Sequence, residues 1–374
     1  MNLKKISFRF LPVIGFIIIA LAFFYPVLQG KIMYQSDIAQ YIGMSKQMKD
    51  YQQENDDNLY WTDRSFLGMP TYQLGAEFDY NYVKEFDRLL RFLPRPADYL
   101  FLYFFGIYIL LLVFKVDYRL AFIGALAFGL STYLIIILQV GHNSKAHAIA
   151  YMPLVIAGMV SVLRKNYIIG GLGLALAAAL EVSTNHYQMT YYLLFLVIIL
   201  GIVYLIDAIK KKTLPAYLKS IGVMLIAAII AISTNSTRLL STKEYTDFST
   251  RGPSALADTS KNEDLASSGL TYDYITSYSY GILESFNLFI PNFMGGSSSQ
   301  SLDSDSAIYD QFIEMGASST QAAQYAEQMP VYWGDQPYVA APAYIGAIVI
   351  FLFVMALFLV KGKHKYWIVA TSLL

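Results

Sequence analysis

The chain has no cysteine and little charge. Its 374 residues include no Cys, and Lys, Arg, Asp and Glu together make up 14%. The first absence excludes a disulfide framework, a thiol nucleophile and a thiolate metal site. The second argues against a water-soluble globular domain, which carries about 25% charged residues. Net charge is zero, so there is no basic excess for nucleic acid, and none is expected as a partner. Three motifs are also missing: the phosphate-binding Gly-x-x-x-x-Gly-Lys loop, the Gly-x-Ser-x-Gly elbow and the His-Glu-x-x-His helix. A cytoplasmic ATPase or a serine hydrolase therefore has no support.

Apolar surface is what the chain does have. Hydrophobic residues make up 56% and mean hydropathy is +0.44. A lipid bilayer is the partner that composition demands. The N-terminal run "LPVIGFIIIALAFFYPVLQG" is ~18 residues, longer than the ~7–15 of a signal-peptide core. No small-x-small cleavage site follows it, so it reads as a retained span. Further apolar runs lie at 100–114, 120–138, 148–163, 168–182, 191–206, 218–233 and 343–360, after the first at 11–28; a ninth begins at Tyr366. A chain ending within an apolar run predicts a piece of a longer protein.

Orientation follows from Lys and Arg, which favour short cytoplasmic loops. Lys4, Lys5 and Arg9, then Lys115 and Arg119, then Arg164 and Lys165, then Lys210–Lys212, then Lys361, Lys363 and Lys365 all fall on one side when the runs are counted up and down. This predicts a multi-pass protein of a bacterial cytoplasmic (inner) membrane, N-terminus cytoplasmic. The opposite side receives two large outer loops, 31–99 and 234–342, and short loops at 139–147 and 183–188. In the first large loop Ser36 is the expected N-cap of a surface helix carrying Ile38, Tyr41, Ile42, Ser45 and Met48 at helical spacing. In the second, "GGSSSQS" reads as flexible and 306–329 as one amphipathic helix stopped by Pro330.

Four polar clusters gather on the outer side. Asp37, with Tyr34 nearby, falls in a first helical turn, where the helix dipole favours a carboxylate; it is a candidate base, or only a helix-start residue. His142, Lys145 and His147 make a compact cationic loop suited to a phosphate. The spacing of the two His also allows a metal, and the alternative to both is a solvated loop. Glu181 ends a span, beside Asn185, His186 and Gln188. An ionisable group inside a bilayer is costly and points to function, unless it merely pairs with a cation such as Lys145. Glu284 lies in the aromatic stretch 276–296, which suits a re-entrant or interfacial segment.

The stretches "YQSDIAQY", "GHNSKAHAIAYMPLVIAG", "TNHYQMTYYLLF" and "YSYGILESFNLFIPNFMGG" resemble the YfhO family of bacterial membrane proteins, along essentially the whole chain. More broadly, the order of a helix, a large acid-bearing outer loop and many short-looped helices resembles the GT-C glycosyltransferases. The resemblance implies an all-α GT-C-like transmembrane bundle over 1–374. It also implies transfer of a sugar from a polyprenyl-phosphate donor to a cell-envelope glycan or protein acceptor. It maps the catalytic acid onto Asp37; with that, the cationic loop offers His142, Lys145 and His147 to the donor phosphate, and Tyr34, Glu181, Asn185, His186, Gln188 and Glu284 are the candidate substrate contacts. Many GT-C enzymes carry two neighbouring acids; Asp37 stands alone, which favours a metal-independent base over a divalent cation. The alternative function is a non-enzymatic transporter or scaffold for lipid-linked envelope precursors.

Overall fold

The computed structural model describes residues 3–249, 252 and 270–373, with 3–9 and 373 by backbone alone. These residues are mostly helical, and their sheet is one antiparallel pair of two-residue strands, β1 (Trp61–Thr62) and β2 (Met69–Pro70). The chain divides into two compact units: Met1–Leu130, Ile137–Ser249 and Met355–Leu374 form the first, and Ser131–Ile136 with Thr250–Val354 the second.

Each of the nine apolar runs has a helix. In chain order these are α1 (Leu3–Phe23), then after α2 (Ser36–Met44), α3 (Lys46–Asn55) and α4 (Tyr82–Leu90) come α5 (Ala97–Val113), α6 (Tyr118–Gly129), α7 (Thr132–Val140), α8 (Asn143–Leu163), α9 (Tyr167–Ser183), α10 (Tyr187–Lys210) and α11 (Leu214–Thr234), with α12 (Ser236–Thr246) beyond. The last two runs form the helices Ala347–Leu359 and Lys363–Leu373. Among the described residues three helices, α8, α10 and α11, are each long and apolar enough to cross a membrane; α6 and α7 qualify only as a pair bent by 49°. Among the described residues the apolar parts of the others, Phe10–Phe23 of α1 included, are shorter.

Small residues bring the central helices together. A Cβ placed on Gly106 of α5 would lie 2.6 Å from the Ala150 carbonyl oxygen of α8, and one on Gly158 of α8 would lie 2.7 Å from the Leu174 Cα of α9. Only glycine permits that approach, the device by which helices pack closely without long interdigitating side chains. Val155, Met159, Val160, Leu174, Leu193, Leu200 and Tyr204 fill the resulting core. The outward faces of α10 and α11 are uncovered and apolar, with Ile198, Ile202, Ile226 and Ile229 exposed. Water would penalise such a surface by about 25 cal/mol per Å²; hydrocarbon would not.

Three local expectations change. Ser36 is the first residue of α2, not its cap; Gln35 holds the N-cap position without a side-chain capping bond. The expected surface helix divides at Ser45 into α2 and α3. In the second unit, 306–329 forms two helices, Ala307–Glu314 and Ser319–Gln328. Gly316 takes a left-handed φ of +93° there, and Ser318 with Gln321 forms a capping box that starts a new helix. Phe312 packs on Tyr325 at 5.1 Å and joins the two.

The second unit also orders a segment expected to be flexible. The "GGSSSQS" stretch is pinned: Ser298 N donates to the Val339 carbonyl at 2.8 Å, and Val339 N donates back to the Ser298 hydroxyl at 2.9 Å. The 276–296 stretch, expected as a re-entrant or interfacial segment, is built of turns around a 3₁₀ helix, Leu283–Leu288. Glu284 within it is buried. It accepts from the Gly281 amide at 2.5 Å and from the Tyr332 hydroxyl. Burial and that bond to Glu284 push the Tyr332 phenol up to about 12.

Candidate functional site

The first unit's elements between α1 and α5 meet the ends of α8 and α9 around a cavity of about 360 Å³. Local sequence explains how each wall is placed. Gly30, at φ +75°, closes the 3₁₀ turn Tyr25–Gln29 that follows α1. The Gln35 amide then donates to the Leu138 carbonyl, which anchors the start of α2 beside Gly141 and His142. Asp37 in the first turn of α2 meets His142, Nε2 to Oδ2, at 3.1 Å. Both side chains are about half exposed, at the cavity rim.

The opposite wall is α4. The Asn81 side chain accepts from the Lys84 amide at 3.1 Å and caps it. From there Lys84, Asp87 and Arg91 recur at helical spacing on the face toward the cavity. Asp87 is the anchor. Its Oδ2 faces Arg91 Nη2 at 2.8 Å, while its Oδ1 accepts from the Tyr151 hydroxyl at 2.6 Å and pairs with His147 Nε2 at 2.5 Å. Burial would raise the Asp87 carboxyl, but the His147 hydrogen bond and the charges of His147 and Arg91 outweigh it and hold it well below the usual carboxylate range. With both oxygens engaged and its pKa lowered, Asp87 is a fixed anion that ties α4 to α8 and is a poor proton acceptor. Asp98 stands behind it, 3.6 Å from Arg91 and 3.8 Å from Arg95. Both guanidinium groups lie over the Tyr99 ring, at 5.7 and 5.5 Å.

The third wall is the end of α9 with α12. The Asn185 amide donates to Gln73 Oε1 at 2.7 Å, and Gln73 donates to the Thr242 hydroxyl at 2.9 Å. Arg238 of α12 is half-buried and donates to the Ser183 and Ala76 carbonyls at 3.2 and 3.4 Å. Burial lowers its pKa, with Tyr187 and Glu77 opposing; an arginine stays protonated regardless. Two polar atoms at this cavity are shielded from solvent without a hydrogen-bond partner: Asn143 Nδ2 and Asn185 Oδ1.

The candidates read from sequence therefore scatter. Asp37, His147 and Asn185 line the cavity, and His142 reaches it through Asp37. The expected loop 139–147 is already helical from Asn143, so Lys145 and His147 sit on the first turns of α8. The two His rings turn to different acids, Asp37 and Asp87, and do not converge. Among the described residues no group of three or more His, Asp or Glu is arranged to hold a metal. His186 takes the N-cap position of α10 without a side-chain capping bond; burial, with smaller contributions from Lys145 and His142, lowers its pKa. Glu181 is buried away from the cavity and accepts from the Thr190 hydroxyl at 3.0 and 3.1 Å. Tyr34 is 80% exposed and outside the lining. Gln188 bonds to Tyr192, and Glu284 belongs to the second unit.

The residues missed are Lys84, Asp87, Arg91, Arg95, Asp98 and Arg238. Five of them lay in "VKEFDRLLRFLPRPADYL", a 3–4-residue charge repeat directly before an apolar run. That run of basic residues on the side expected to be poor in them was the available signal. Compared with protein-family models, curated proteins and solved structures, the chain matches none.

Proposed function

We propose that the protein is a membrane glycosyltransferase of the GT-C kind, akin to the YfhO family, moving a sugar from a polyprenyl-phosphate donor to an extracytoplasmic acceptor. The observation that carries the reading is the Asp37–His142 pair, 3.1 Å apart, at the rim of a cavity whose walls hold Lys84, Arg91, Arg95 and Arg238. A half-exposed carboxylate beside a cation-lined cavity is what acid–base transfer from a phosphate leaving group requires. The uncovered apolar faces of α10 and α11 support a bilayer setting.

In this reading an acceptor hydroxyl approaches Asp37, which takes its proton as the oxygen bonds to the anomeric carbon. The carbon–oxygen bond to phosphate breaks, and its electron pair leaves on the lipid phosphate. His142 holds the Asp37 carboxylate in place. Cations in the cavity stabilise the charge that builds on the leaving phosphate. A positioned base contributes typically ~10²–10⁴-fold. Asp87 has no part in proton transfer, because its oxygens are occupied. The reading is tested by sugar transfer in lipid vesicles with wild type beside Asp37→Asn. Transfer that the substitution abolishes supports it; transfer unaffected by the substitution removes Asp37 from the chemistry.

A further inference from the structure

Three helices of the first unit end in the same unusual way. Two residues past the last residue of α5, α8 and α10 stands a lysine in the left-handed conformation: Lys115 at φ +66°, Lys165 at +70° and Lys212 at +57°. That position ordinarily belongs to glycine or asparagine, because a Cβ there crowds the following carbonyl oxygen. Lysine therefore stands at all three ends against the preference of the backbone. All three side chains belong to exposed residues. The nearby acids are engaged elsewhere: Asp207 holds Lys211 at 3.0 Å and Lys363 at 2.9 Å, and Asp117 accepts from the Arg119 amide at 3.0 Å. Among the described residues none of the three lysines has a carboxylate at ion-pair distance.

Specific contacts hold these ends together. Arg164 donates to the Val113 carbonyl and lies over the Phe114 ring at 5.6 Å, which joins the end of α8 to that of α5. Phe114 stacks on Trp367 of the last helix at 5.8 Å. Lys363 of that helix reaches Asp207 of α10 and lies over the Tyr204 ring at 3.8 Å. The resulting surface is strongly of one sign. Residues 115–119, 164–165, 207–219 and 361–365 carry eleven Lys and Arg against two Asp. A tyrosine follows each of the three lysines within a few residues, Tyr118, Tyr167 and Tyr217, and all three are partly buried. Such half-wet rings suit the headgroup layer of a bilayer. The surface lies at the opposite end of the 21-residue α8 from the cavity. Helix rise puts that about 30 Å away, the thickness of a hydrocarbon core.

We infer that this end of the first unit is a binding surface for anionic phospholipid headgroups, with Lys115, Lys165 and Lys212 meeting phosphate oxygens from three helix ends. An ammonium on a flexible four-carbon stem suits a mobile headgroup. This surface is independent of the transferase reading. A bias of Lys and Arg toward one side of the membrane does not account for it, because lysine anywhere in these loops would meet that bias. These three occupy a position where the lysine Cβ is penalised. The competing role is structural: a cation near the last carbonyls of a helix offsets its dipole. That role would stabilise the fold equally in neutral and in anionic lipid.

The test uses the full chain in nanodiscs of phosphatidylcholine, with and without phosphatidylglycerol of the same acyl chains. Retained lipids are identified by native mass spectrometry, and melting temperature is read in parallel. Wild type should retain phosphatidylglycerol over phosphatidylcholine and melt higher in the anionic discs. Lys115→Gly, Lys165→Gly and Lys212→Gly each remove the charge and release the backbone strain together. In neutral discs the triple variant should therefore melt no lower than wild type. The lipid preference should fall about fivefold in each single variant and further in the triple, whose melting gain in anionic discs should vanish. The corresponding Lys→Arg triple variant keeps charge and strain and should behave as wild type. A control that neutralises three exposed lysines elsewhere, Lys31→Gln with Lys46→Gln and Lys243→Gln, should leave the lipid preference unchanged. If the triple glycine variant fails to fold, the single variants decide. A lipid preference within twofold of wild type in the folded glycine variants would overturn the proposal. So would no preference in the wild type, or an equal loss in the control. The same melting gain from inorganic phosphate added to neutral discs would also overturn it, as a site for free phosphate. Glycine variants that melt lower by the same amount in neutral and anionic discs, with the lipid preference intact, would leave the lysines only their helix-dipole role.

Discussion

Asp87→Asn should destabilise the first unit severely without touching the proposed chemistry. The Asp87 side chain is 5% exposed and facing it Arg91 is 14% exposed. It holds Arg91 at 2.8 Å, His147 at 2.5 Å and Tyr151 at 2.6 Å. An asparagine of the same shape keeps one carbonyl oxygen and presents an NH₂ to partners that include a buried cation. Breaking a buried pair by removing one partner costs about 3–5 kcal/mol. Because asparagine keeps some of the hydrogen bonds, the lower end, about 3 kcal/mol, applies here. For a unit of this size that lowers the melting temperature by about 6–12 °C. The assay is a tryptophan-fluorescence melt in matched nanodiscs, suited to a chain with three Trp and no Cys. The pH dependence adds a second check. The native Asp87 pKa lies below its unfolded value of about 3.9, so its stabilisation is complete above that value and is lost as pH falls through the native one. The gap between wild type and Asp87→Asn should hold steady from about pH 8 to 5 and narrow below about 4. A variant melting within about 1 °C of wild type at pH 7 would refute the claim that Asp87 clamps α4 to α8.

Three further outcomes are expected. His142→Gln should lower kcat about tenfold with KM unchanged, the cost of a lost charge-assisted contact to Asp37; a raised KM alone would place His142 in substrate binding instead. Gly158→Ala should cost about 1–3 kcal/mol because its Cβ meets the Leu174 backbone, while Gly173→Ala, which opens onto free space, should be neutral or stabilising in the same melts. Thr190→Val should cost about 1–3 kcal/mol in those melts by leaving buried Glu181 without its hydroxyl donor.

Legibility in the sequence followed the range of the signal. Apolar runs are local, and all nine became helices; the bend between α6 and α7 was invisible because "AFGLSTYLIII" reads as continuous hydropathy. Asp37 and His142 were each legible as polar residues just outside apolar runs, but their pairing depends on Gln35 reaching Leu138, a contact 103 residues apart. Gly316 and the Ser318–Gln321 box were local signals passed over in favour of the longer amphipathic pattern. The Asp87–Arg91 pair was encoded at i,i+4, in a part of the first large loop to which no element was assigned. Arg238 carried no local signal: only folding brings it to the Ser183 carbonyl at the end of α9.

The most direct measurement is transfer of radiolabelled sugar from polyprenyl-phosphate donors to envelope acceptors by the reconstituted chain, wild type beside Asp37→Asn, with expression and melting temperature matched. The account predicts transfer by the wild type and a loss of about 10²–10⁴-fold in the variant. Equal rates in the two proteins, or no transfer by a folded wild type that binds those donors, would contradict it.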